Sequence, residues 1–332
     1  MKKMTKDTVA YIIVSWNNRE LLKDCIESIS VQNCTENKRI ILIDNNSSDD
    51  TVEYINKHFP NVELIVSDKN NGFAKGNNIG ITLVLKDKNV KYVVLLNTDA
   101  RLESNWTSTL INAANKRPRT AMMQSITVDY YNHQVIDSTH LYISEYGQAI
   151  QSSWREPIGI GYDIAPLKVF GCNAAAMLIT RKFIDAQPFK ELFDETMFMY
   201  LEDVDLAARA TIMGWDNFVI PGTRAYHMGS VSSSKKDPSF SLYMTFRNNM
   251  GLLIKNLPLK ILLTILFRMV KADTASIRHL RRTGKSKGVA ALIKGRLMGI
   301  VFIPHFLIKR YKLKPYRKID IDYLWRLMKH GY

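Results

Sequence analysis

The first hundred residues alternate continuous apolar runs with segments of helical periodicity, and this alternation limits the possible folds more than any other feature. Four apolar runs predict strands, at residues 10–15, 40–43, 62–67 and 92–96. Three segments between them carry apolar side chains at helical spacing, at residues 19–31, 51–58 and 74–87. Largely apolar strands connected by helices are typical of a parallel sheet covered on both faces. The sequence therefore predicts an α/β fold.

The remaining chain gives a weaker pattern. Residues 121–166 are interpreted as polar and aromatic loop material, which is where an α/β enzyme would keep a specificity element. Three later segments are predicted as an apolar run, a helix and a short strand, at residues 174–179, 201–213 and 218–220. After Asn249 we predict helices, broken at four positions: Pro258, Gly284, Gly288 and Pro304.

Charge divides the chain into two parts. Residues 1–254 hold 27 Lys and Arg against 28 Asp and Glu, whereas residues 255–332 hold 19 against 3. We therefore predict a near-neutral α/β domain over residues 1–250 and a basic, amphipathic helical segment over residues 251–332. The apolar stretches of that segment are shorter than the roughly 20 residues of a spanning helix, which favours helices lying at a membrane surface.

Composition excludes several other classes of protein. A hydrophobic fraction of 46% excludes a disordered or collagen-like chain. The three cysteines have no C-x-x-C pairing, so they indicate neither a disulfide framework nor a structural zinc site. The apolar run after the basic N-terminus is too short for a signal peptide. These features favour a reducing, cytoplasmic environment.

Two polar clusters follow predicted elements of the sheet, at whose carboxyl strand ends ligands bind. Asn97-Thr98-Asp99 could bind a divalent cation and a sugar or phosphate, although these are also ordinary turn residues. Residues 70–80 contain four Asn and three Gly, which fits a loop that meets a phosphate. The alternative is close packing at Gly76 and Gly80; we favour binding, because packing does not require repeated Asn.

A third cluster places Glu202, Asp203 and Asp205 within four residues. Crowding of this kind raises carboxyl pKa values toward those of a working base, whereas acids in a first helical turn can also complement the helix dipole. We favour a site, because the dipole explains one or two acids. His227 is a candidate metal ligand only if Asp99 binds a metal, since a lone His is more often a packed residue.

In order and spacing, these segments resemble the inverting glycosyltransferases of family 2, which have the GT-A fold, and especially the rhamnosyltransferase-like branch of bacterial surface polysaccharide synthesis. The resemblance covers residues 9–249. It is carried by seven motifs: Val14-Ser15-Trp16-Asn17, Asp44-Asn45-Asn46-Ser47, Asn71-Gly72-Phe73-Ala74-Lys75-Gly76-Asn77-Asn78, Asn97-Thr98-Asp99, Phe170-Gly171-Cys172-Asn173-Ala174, Leu201-Glu202-Asp203-Val204-Asp205-Leu206 and His227-Met228-Gly229-Ser230.

The resemblance implies roles for individual residues. Asp203 would be the catalytic base, with Glu202 orienting the acceptor, and Asp99 with His227 would hold Mn²⁺ or Mg²⁺. Asn97 and Thr98 stand where many relatives carry further acids, so one carboxylate contact is lost. The residues expected to bind the nucleotide-sugar are Val14, Trp16, Asn17, Asp44, Asn45, Asn71, Phe73, Lys75, Asn77, Asn78, Asn97, Thr98 and Asp99.

The implied activity is inverting transfer of a sugar from a nucleotide-sugar donor, dTDP-rhamnose first and a UDP-sugar second, to a lipid-diphosphate-linked saccharide. The alternative is a catalytically silent binding protein on a GT-A scaffold. The basic segment would hold the protein on the anionic inner face of the bacterial cell membrane. Nucleic acid is not expected as a partner, because its binding does not require wide apolar faces; a solvated helical face packed on the α/β domain is the third interpretation.

Overall fold

A computed structural model describes residues 6–159, 165–229, 238–330 and 332. Its strands are β1 (Thr8–Ser15), β2 (Asn37–Asp44), β3 (Glu63–Val66), β4 (Val90–Leu96), β5 (Ala100–Leu102), β6 (Thr120–Asp129), β7 (Ile136–Ser138), β8 (Leu141–Ile143), β9 (Ala149–Gln151), β10 (Leu167–Val169), β11 (Ala176–Thr180) and β12 (Asp216–His227). Its α-helices are α1 (Leu22–Ser30), α2 (Thr51–His58), α3 (Gly72–Val84), α4 (Trp106–Asn115), α5 (Arg181–Asp185), α6 (Glu202–Ile212), α7 (Pro238–Asn256), α8 (Leu259–Arg282), α9 (Ser286–Val301), α10 (Ile303–Leu313) and α11 (Ile321–His330).

The main sheet has the strand order β10-β12-β6-β11-β4-β1-β2-β3. Strands β3, β2, β1 and β4 are parallel, as the alternation of the first hundred residues predicts. The register pairs Ser15, the last residue of β1, with Asp44, the last residue of β2. The carboxyl ends of these strands therefore meet at one edge of the sheet.

The continuous apolar character of β1 reflects burial on both faces of the sheet. Val9, Tyr11 and Ile13 pack in one core with helices α1 and α4. Ala10 and Ile12 pack in a second core with α3. Because alternate side chains of a strand point to opposite faces, a strand between two helical layers needs apolar residues at successive positions. The prediction of helices on both faces is confirmed.

The interpretation of residues 121–166 as loop material is wrong for the four strands that lie within that segment, β6 to β9. Strand β6 lies inside the sheet, and three short strands follow it. Two of its buried polar side chains are satisfied internally. Ser125 Oγ accepts a hydrogen bond from Trp106 Nε1 at 2.9 Å. Gln124 Oε1 accepts another from the Asn173 amide at 2.6 Å. Because buried polar residues interrupt its apolar sequence, a search for continuous apolar runs does not detect this strand. Residues 160–164 lie outside the described residues.

The short strand predicted at residues 218–220 lies near the start of the much longer β12. This strand runs parallel to β6, with a register shift between Val219 and Arg224, and it ends at His227. Strand β11 is antiparallel to both neighbours, β4 and β6. It brings Ala175 next to Asn97, whose amide donates to the Ala175 carbonyl at 2.9 Å.

The C-terminal helices pack against the α/β domain through α7, which runs without interruption through residues 250 and 251. The predicted breaks at Pro258 and Gly284 separate successive helices. The predicted break at Gly288 is wrong, because this residue lies in the first turns of α9, where it packs against Leu280. Pro304 lies in the first turn of α10, where the amide that it lacks has no partner within the helix.

Among the described residues, no single helix has both the length and the apolar composition needed to cross a membrane. The segments Ser286–Val301 and Ile303–Tyr316 reach that length and composition only as a pair, which is bent by 56°.

Candidate active site

A cavity of about 350 Å³ opens at the carboxyl ends of β1, β2 and β4. It brings together ten of the residues predicted from the sequence, which are Val14, Trp16, Asn45, Phe73, Asn97, Thr98, Asp99, Glu202, Asp203 and His227. The other six predicted residues are not among its lining side chains; they are Asn17, Asp44, Asn71, Lys75, Asn77 and Asn78.

One wall of the cavity is formed by the ends of β1 and β2 and carries buried polar atoms. Asn45 donates from Nδ2 to the Gly72 carbonyl at 2.9 Å, which fixes the orientation of its amide. Its Oδ1 and the Ser15 Oγ are buried without a hydrogen-bond partner among the described residues. Buried polar atoms are nearly always satisfied in folded proteins. These two atoms therefore suit a bound polar ligand.

Three of the predicted nucleotide-binding residues stabilise the loops behind this wall. Asp44 Oδ2 accepts from the Ser47 amide at 3.0 Å. Asn17 has a φ of 54°, and its Oδ1 accepts from the Ser48 amide at 2.7 Å. Asn71 Nδ2 donates to the carbonyl of Lys69, two residues earlier, at 3.2 Å. Their contacts with the rest of the chain hold the strand-end loops together.

Helix α3 gives the Asn-rich and Gly-rich motif a packing role. Asn78 donates to the Phe193 carbonyl and accepts from the Phe193 amide, both at 2.9 Å. Asn77 Nδ2 donates to the Phe73 carbonyl, one helical turn earlier, at 2.9 Å. A side chain at Gly76 would lie 2.7 Å from Val14 Cγ1. Asn77 and Asn78 are buried away from the cavity, so their placement does not agree with the prediction that they border it; Lys75 is half-buried on the same helix.

Asp99 and His227 meet at the edge of the cavity. His227 Nε2 lies 3.3 Å from Asp99 Oδ1, and its Nδ1 lies 2.9 Å from Asp137 Oδ2. Burial opposes the charged form of this imidazole, but the two carboxylates outweigh it and raise the pKa of His227 to about 10. Asp137 therefore fixes the ring with Nε2 directed toward Asp99, an arrangement that is typical of metal-binding histidines.

The two groups can contribute two ligands to a divalent cation, one carboxylate oxygen and, once the cation replaces the proton on Nε2, one imidazole nitrogen. Mn²⁺ accepts such a mixed set, and Mg²⁺ usually keeps water and phosphate oxygens in its remaining positions. In the part of the chain that the structure describes, no group of three or more His, Cys, Asp or Glu side chains could hold a metal. A pair of protein ligands fits an ion whose other ligands come from a bound diphosphate.

The residues before Asp99 complete this edge of the cavity. Asn97 Nδ2 lies 3.5 Å from His227 Nε2, and Thr98 Oγ1 accepts from Asn18 Nδ2 at 3.4 Å. Neither side chain has a negative charge, so Asp99 is the single carboxylate of the Asn97-Thr98-Asp99 turn.

Another wall of the cavity contains the first turn of α6, which begins at Glu202. Asp203 accepts from the Ala174 amide at 3.3 Å and from the Val204 amide at 2.8 Å. Burial raises the pKa of Asp203 despite these bonds. Burial also raises the pKa of Glu202 well above its ordinary value, and the neighbouring charge of Asp203 adds to that shift. Two carboxyl groups with raised pKa values therefore face the cavity.

The third acid of this motif, Asp205, points into the protein interior. It lies 2.8 Å from Lys255 Nζ and accepts from Asn256 Nδ2 at 2.7 Å. Lys255 is 1% exposed and also lies 2.8 Å from Asp194. The three acids thus have two uses: two face the cavity, and one anchors α6 to the end of α7.

The segment that leads into α6 has an unusual backbone. Phe198, Tyr200 and Leu201 have φ values of 60°, 70° and 67°, in the region that favours glycine. Asn248 of α7 donates from Nδ2 to the carbonyls of Met197, Met199 and Tyr200, at 2.8, 2.9 and 2.8 Å. A strained backbone persists only where contacts with the surrounding protein hold it in place. The hydrogen bonds from Asn248 hold it here, directly before the two acids that face the cavity.

Sequence reasoning missed three residues that support the site: Asp137, Asn248 and Lys255. Asp137 lies within the segment interpreted as a loop, where nothing marks it as a partner of His227. The sequence marked Asn248 only as a residue at the boundary of the basic segment, and Lys255 only as one of the cations within that segment. Polar residues one or two turns apart on an otherwise apolar helix were the available signal that α7 faces a polar partner inside the protein.

Comparison with known proteins identifies the family. The family model described as glycosyl transferase family 2 matches residues 11–185. The chain belongs to glycosyl transferase family 2. It is 22% identical over 246 residues to the low-salt glycan biosynthesis hexosyltransferase Agl10 of Haloferax volcanii, covering 73% of this chain and 74% of that protein. It is 24% identical over 254 residues to the N-acetylglucosaminyl-diphospho-decaprenol L-rhamnosyltransferase of Mycobacterium tuberculosis, covering 71% and 80%.

Solved structures share the fold of this family member. GalNAc-T7, solved with UDP, GalNAc and Mn²⁺, superposes with a TM-score of 0.59 at 16% identity, covering 75% of this chain and 49% of that chain. The mannosyltransferase PcManGT from Pyrobaculum calidifontis, solved with GDP-Man and Mn²⁺, gives a TM-score of 0.52 at 14% identity, covering 94% and 86%. The expected GT-A fold is confirmed, and the chain is a glycosyltransferase that uses a nucleotide-sugar donor.

Proposed function

We propose that this glycosyltransferase is metal-dependent and inverts the configuration of the sugar that it transfers. The observation that carries the proposal is the placement of Asp203 and Glu202 on one wall of a single cavity, with Asp99 and His227 on another. A single displacement at an anomeric carbon needs a base on the acceptor side and stabilisation of negative charge on the leaving-group side. The wall with Asp203 and Glu202 would supply the base, and the wall with Asp99 and His227 would stabilise the negative charge of the leaving group.

Asp99 and His227 would hold Mn²⁺ or Mg²⁺, which would neutralise the charge that develops on the departing diphosphate. The Mn²⁺ in both solved neighbours supports a divalent cation in this site as well. Asp137 would keep His227 in the orientation that ligation requires, since it accepts a hydrogen bond from the other ring nitrogen.

Asp203 would accept the proton of the acceptor hydroxyl as that oxygen forms its bond to the anomeric carbon. The bond from this carbon to the diphosphate oxygen breaks at the same time, and the nucleoside diphosphate leaves with the electron pair. Attack from the face opposite the leaving group inverts the anomeric configuration. Glu202, the neighbouring acid in the same wall, would orient the acceptor hydroxyl. The raised pKa of Asp203 makes it a stronger base than an exposed aspartate.

The favoured donor is dTDP-rhamnose, with a UDP-sugar as the second choice, and the favoured acceptor is a lipid-diphosphate-linked saccharide used for surface polysaccharide. The rhamnosyl and decaprenol names of the mycobacterial relative support this pair. Such an acceptor would place the enzyme in the cytoplasm, on the inner face of the cell membrane. A thermal-shift screen of nucleotide sugars with Mn²⁺ would identify the donor, since a ligand that binds the folded state raises its melting temperature.

The proposed base is tested by Asp203→Asn, which keeps the shape of the side chain and removes its basicity. Transfer should fall by about 10²–10⁴-fold, the usual contribution of a general base. Nucleotide binding, measured by calorimetry, should be unchanged because Asp203 lies on the acceptor wall. The control is Asp49→Asn, which changes a carboxylate on a loop outside the cavity. Full activity of Asp203→Asn would remove this residue from the role.

A pH profile gives a second test of Asp203. Because burial raises its pKa, the base stays protonated at pH values where an exposed aspartate is already ionised. The transfer rate should therefore rise with pH through a limb above pH 4, and fall by about tenfold per unit below that limb. An acid limb at the ordinary aspartate value of about 4 would contradict the assignment.

The alternative function, a catalytically silent binding protein on the same scaffold, predicts a different outcome. Such a protein would bind a nucleotide sugar but neither transfer nor hydrolyse it. Assays with EDTA, with Mn²⁺ and with Mg²⁺ separate the two cases. Metal-dependent turnover supports the enzyme, and binding without turnover across the donor panel supports the silent protein.

A further inference from the structure

Helix α8 carries apolar side chains on two opposite faces, and the protein core explains one of them. Its inner face buries Ile261, Leu262, Ile265 and Met269. Its outer face exposes a second apolar row at intervals of four, four and three residues, which places it along one side of the helix. The row consists of Leu259, Leu263, Phe267 and Val270, exposed by 61%, 60%, 69% and 63%.

The two helices that follow repeat this arrangement. Helix α9 packs on α7 through glycines: a side chain at Gly295 would lie 2.6 Å from the Tyr243 carbonyl, and one at Gly299 would lie 2.7 Å from Met250 Cγ. The exposed apolar side chains of α9 and α10 are Ile293, Leu297, Ile300, Val301, Leu307, Ile308 and Tyr311. Helix α9 contacts both α8 and α10, so the apolar rows belong to adjoining helices.

Exposed basic residues accompany these rows. Lys260 and Lys271 border the row on α8, and the Lys271 ammonium lies 5.1 Å from the centre of the Phe267 ring. Further exposed cations follow between the last turns of α8 and the middle of α9: Arg278, Arg281, Arg282, Lys285, Lys287 and Lys294. Apolar side chains beside a strong positive charge match a lipid surface with anionic head groups. A second copy of the chain matches less well, because two such surfaces would repel each other.

Helix α8 also packs against a hairpin that lines the cavity. Ile265 of α8 packs under Gly147, where an added Cβ would lie 2.5 Å from its Cγ2. Gly147 is in the turn of the β8–β9 hairpin, and Ile150 and Gln151 of that hairpin line the cavity. A surface covering the outer face of α8 would therefore lie one helix away from the hairpin that borders the proposed acceptor wall.

We propose that the outer faces of α8, α9 and α10 form a docking surface for an anionic lipid bilayer. The apolar rows would enter the boundary between head groups and acyl chains, and the adjacent lysines and arginines would bind the lipid phosphates. The helices lie on the bilayer and do not cross it, because the inner faces of α8 and α9 are occupied by the protein core. This inference rests on the proposed function, since it places the cavity next to a lipid-linked acceptor.

The test uses the full chain with Leu263→Glu and Phe267→Glu combined. Both side chains are exposed, so their replacement should leave the fold intact. Flotation with vesicles containing phosphatidylglycerol should show binding of the wild type, and the double variant should bind at least about tenfold more weakly because two charges replace inserted apolar groups. Pure phosphatidylcholine vesicles should bind the wild type weakly. The matched control is Val31→Glu with Val66→Glu, two similarly exposed valines of the α/β domain, which should bind like the wild type.

A charge variant separates the two components of the surface. Arg281→Gln with Arg282→Gln should weaken binding to anionic vesicles and make it less dependent on salt. Transfer to a water-soluble acceptor, measured without vesicles, should be unchanged in every variant. This readout keeps failure of the docking surface distinct from failure of the proposed function.

Four results would overturn the inference. One is equal flotation of the wild type and the Glu double variant, and another is absence of wild-type binding to anionic vesicles. A third is a wild-type dimer that the double variant converts to a monomer, which would assign the surface to a second copy. The last is resistance of the bound protein to extraction with high salt and alkaline carbonate, which would indicate helices that cross the bilayer.

Discussion

The cavity wall that carries Asn45 is made of strand ends, whereas the wall that carries Asp203 is the first turn of a helix held by distant residues. Neighbouring parallel strands place Ser15 beside Asp44 through the register of the sheet alone. Asp203 depends instead on α7, whose Asn248 and Lys255 lie about fifty residues further along the chain. The strand register therefore builds the proposed donor side, and helix packing builds the proposed acceptor side.

This difference gives α7 a structural role beside the cavity that the later helices do not share. Deleting the end of α7 together with the basic segment would remove the ion pair and hydrogen bond through which Lys255 and Asn256 hold Asp205 of α6. Substitutions in α7 should therefore lower the transfer rate and the stability while nucleotide affinity persists. Substitutions at the strand ends should weaken nucleotide binding and change the transfer rate and the stability little.

The largest effect is expected for Lys255→Met. This change leaves Asp205 and Asp194 buried beside the site of a missing cation, and breaking a buried ion pair costs about 3–5 kcal/mol. We expect the free energy of unfolding, measured with urea, to fall by about 3 kcal/mol, because Lys309 and Arg209 remain near the two acids. Lys260→Met, an exposed change on the next helix, should alter it by less than about 0.5 kcal/mol. A loss below about 1 kcal/mol for Lys255→Met would contradict the anchoring role.

The free energy of unfolding should also fall at acidic pH, because the Asp194 carboxylate becomes protonated. Burial opposes its charged form, but the ammonium groups of Lys255 and Lys309 hold the pKa of Asp194 well below its usual range. A carboxyl group with a lowered pKa stabilises the fold above its unfolded-state pKa of about 4, and that stability is lost as the pH falls below it. Lys255→Met should reduce this acid dependence, which links the effect to the ion pair rather than to packing.

The second effect is expected for Asn248→Ala. Without the three hydrogen bonds to residues 197–200, the strained segment before α6 should relax and move Asp203. A displacement of about 1 Å can reduce the rate about a hundredfold, so we expect kcat to fall by about 10–100-fold with nucleotide affinity unchanged. Asn105→Ala is the matched control, because Asn105 donates to the Gly222 carbonyl outside the cavity. Equal losses of kcat and nucleotide affinity would indicate general disruption of the fold and not repositioning of the base.

The smallest effect is expected for Asn45→Ala on the donor side. It removes a buried acceptor from the cavity and the hydrogen bond to the Gly72 carbonyl. We expect nucleotide to bind about tenfold more weakly, and kcat at saturating donor to change by less than about threefold. Calorimetry and steady-state kinetics together check this split. A large fall in kcat with unchanged nucleotide affinity would remove the distinction between the two walls.

The sequence indicated the strand-end wall of the cavity well because its signals are local. Runs of successive apolar residues predicted parallel strands that are buried on both faces of the sheet. Polar residues directly after these runs predicted the cavity edge that contains Asn45 and Asp99. The second half of the sheet was harder to predict, because β6 buries satisfied polar residues such as Gln124. The Asn-rich motif has two parts that the sequence did not separate: Phe73 lines the cavity, whereas the Asn78 amide binds the Phe193 backbone.

By itself, the sequence determined the α/β fold, the family and the excess of positive charge over residues 255–332, since periodicity, motif order and charge can be read directly along the chain. The tertiary structure alone decided which acids of the Glu202-Asp203-Val204-Asp205 motif face the cavity and which one is buried with Lys255. It also decided that Asp137 orients His227 and that Asn248 holds the segment before α6. These contacts join residues about fifty to ninety positions apart, and only folding brings such residues together.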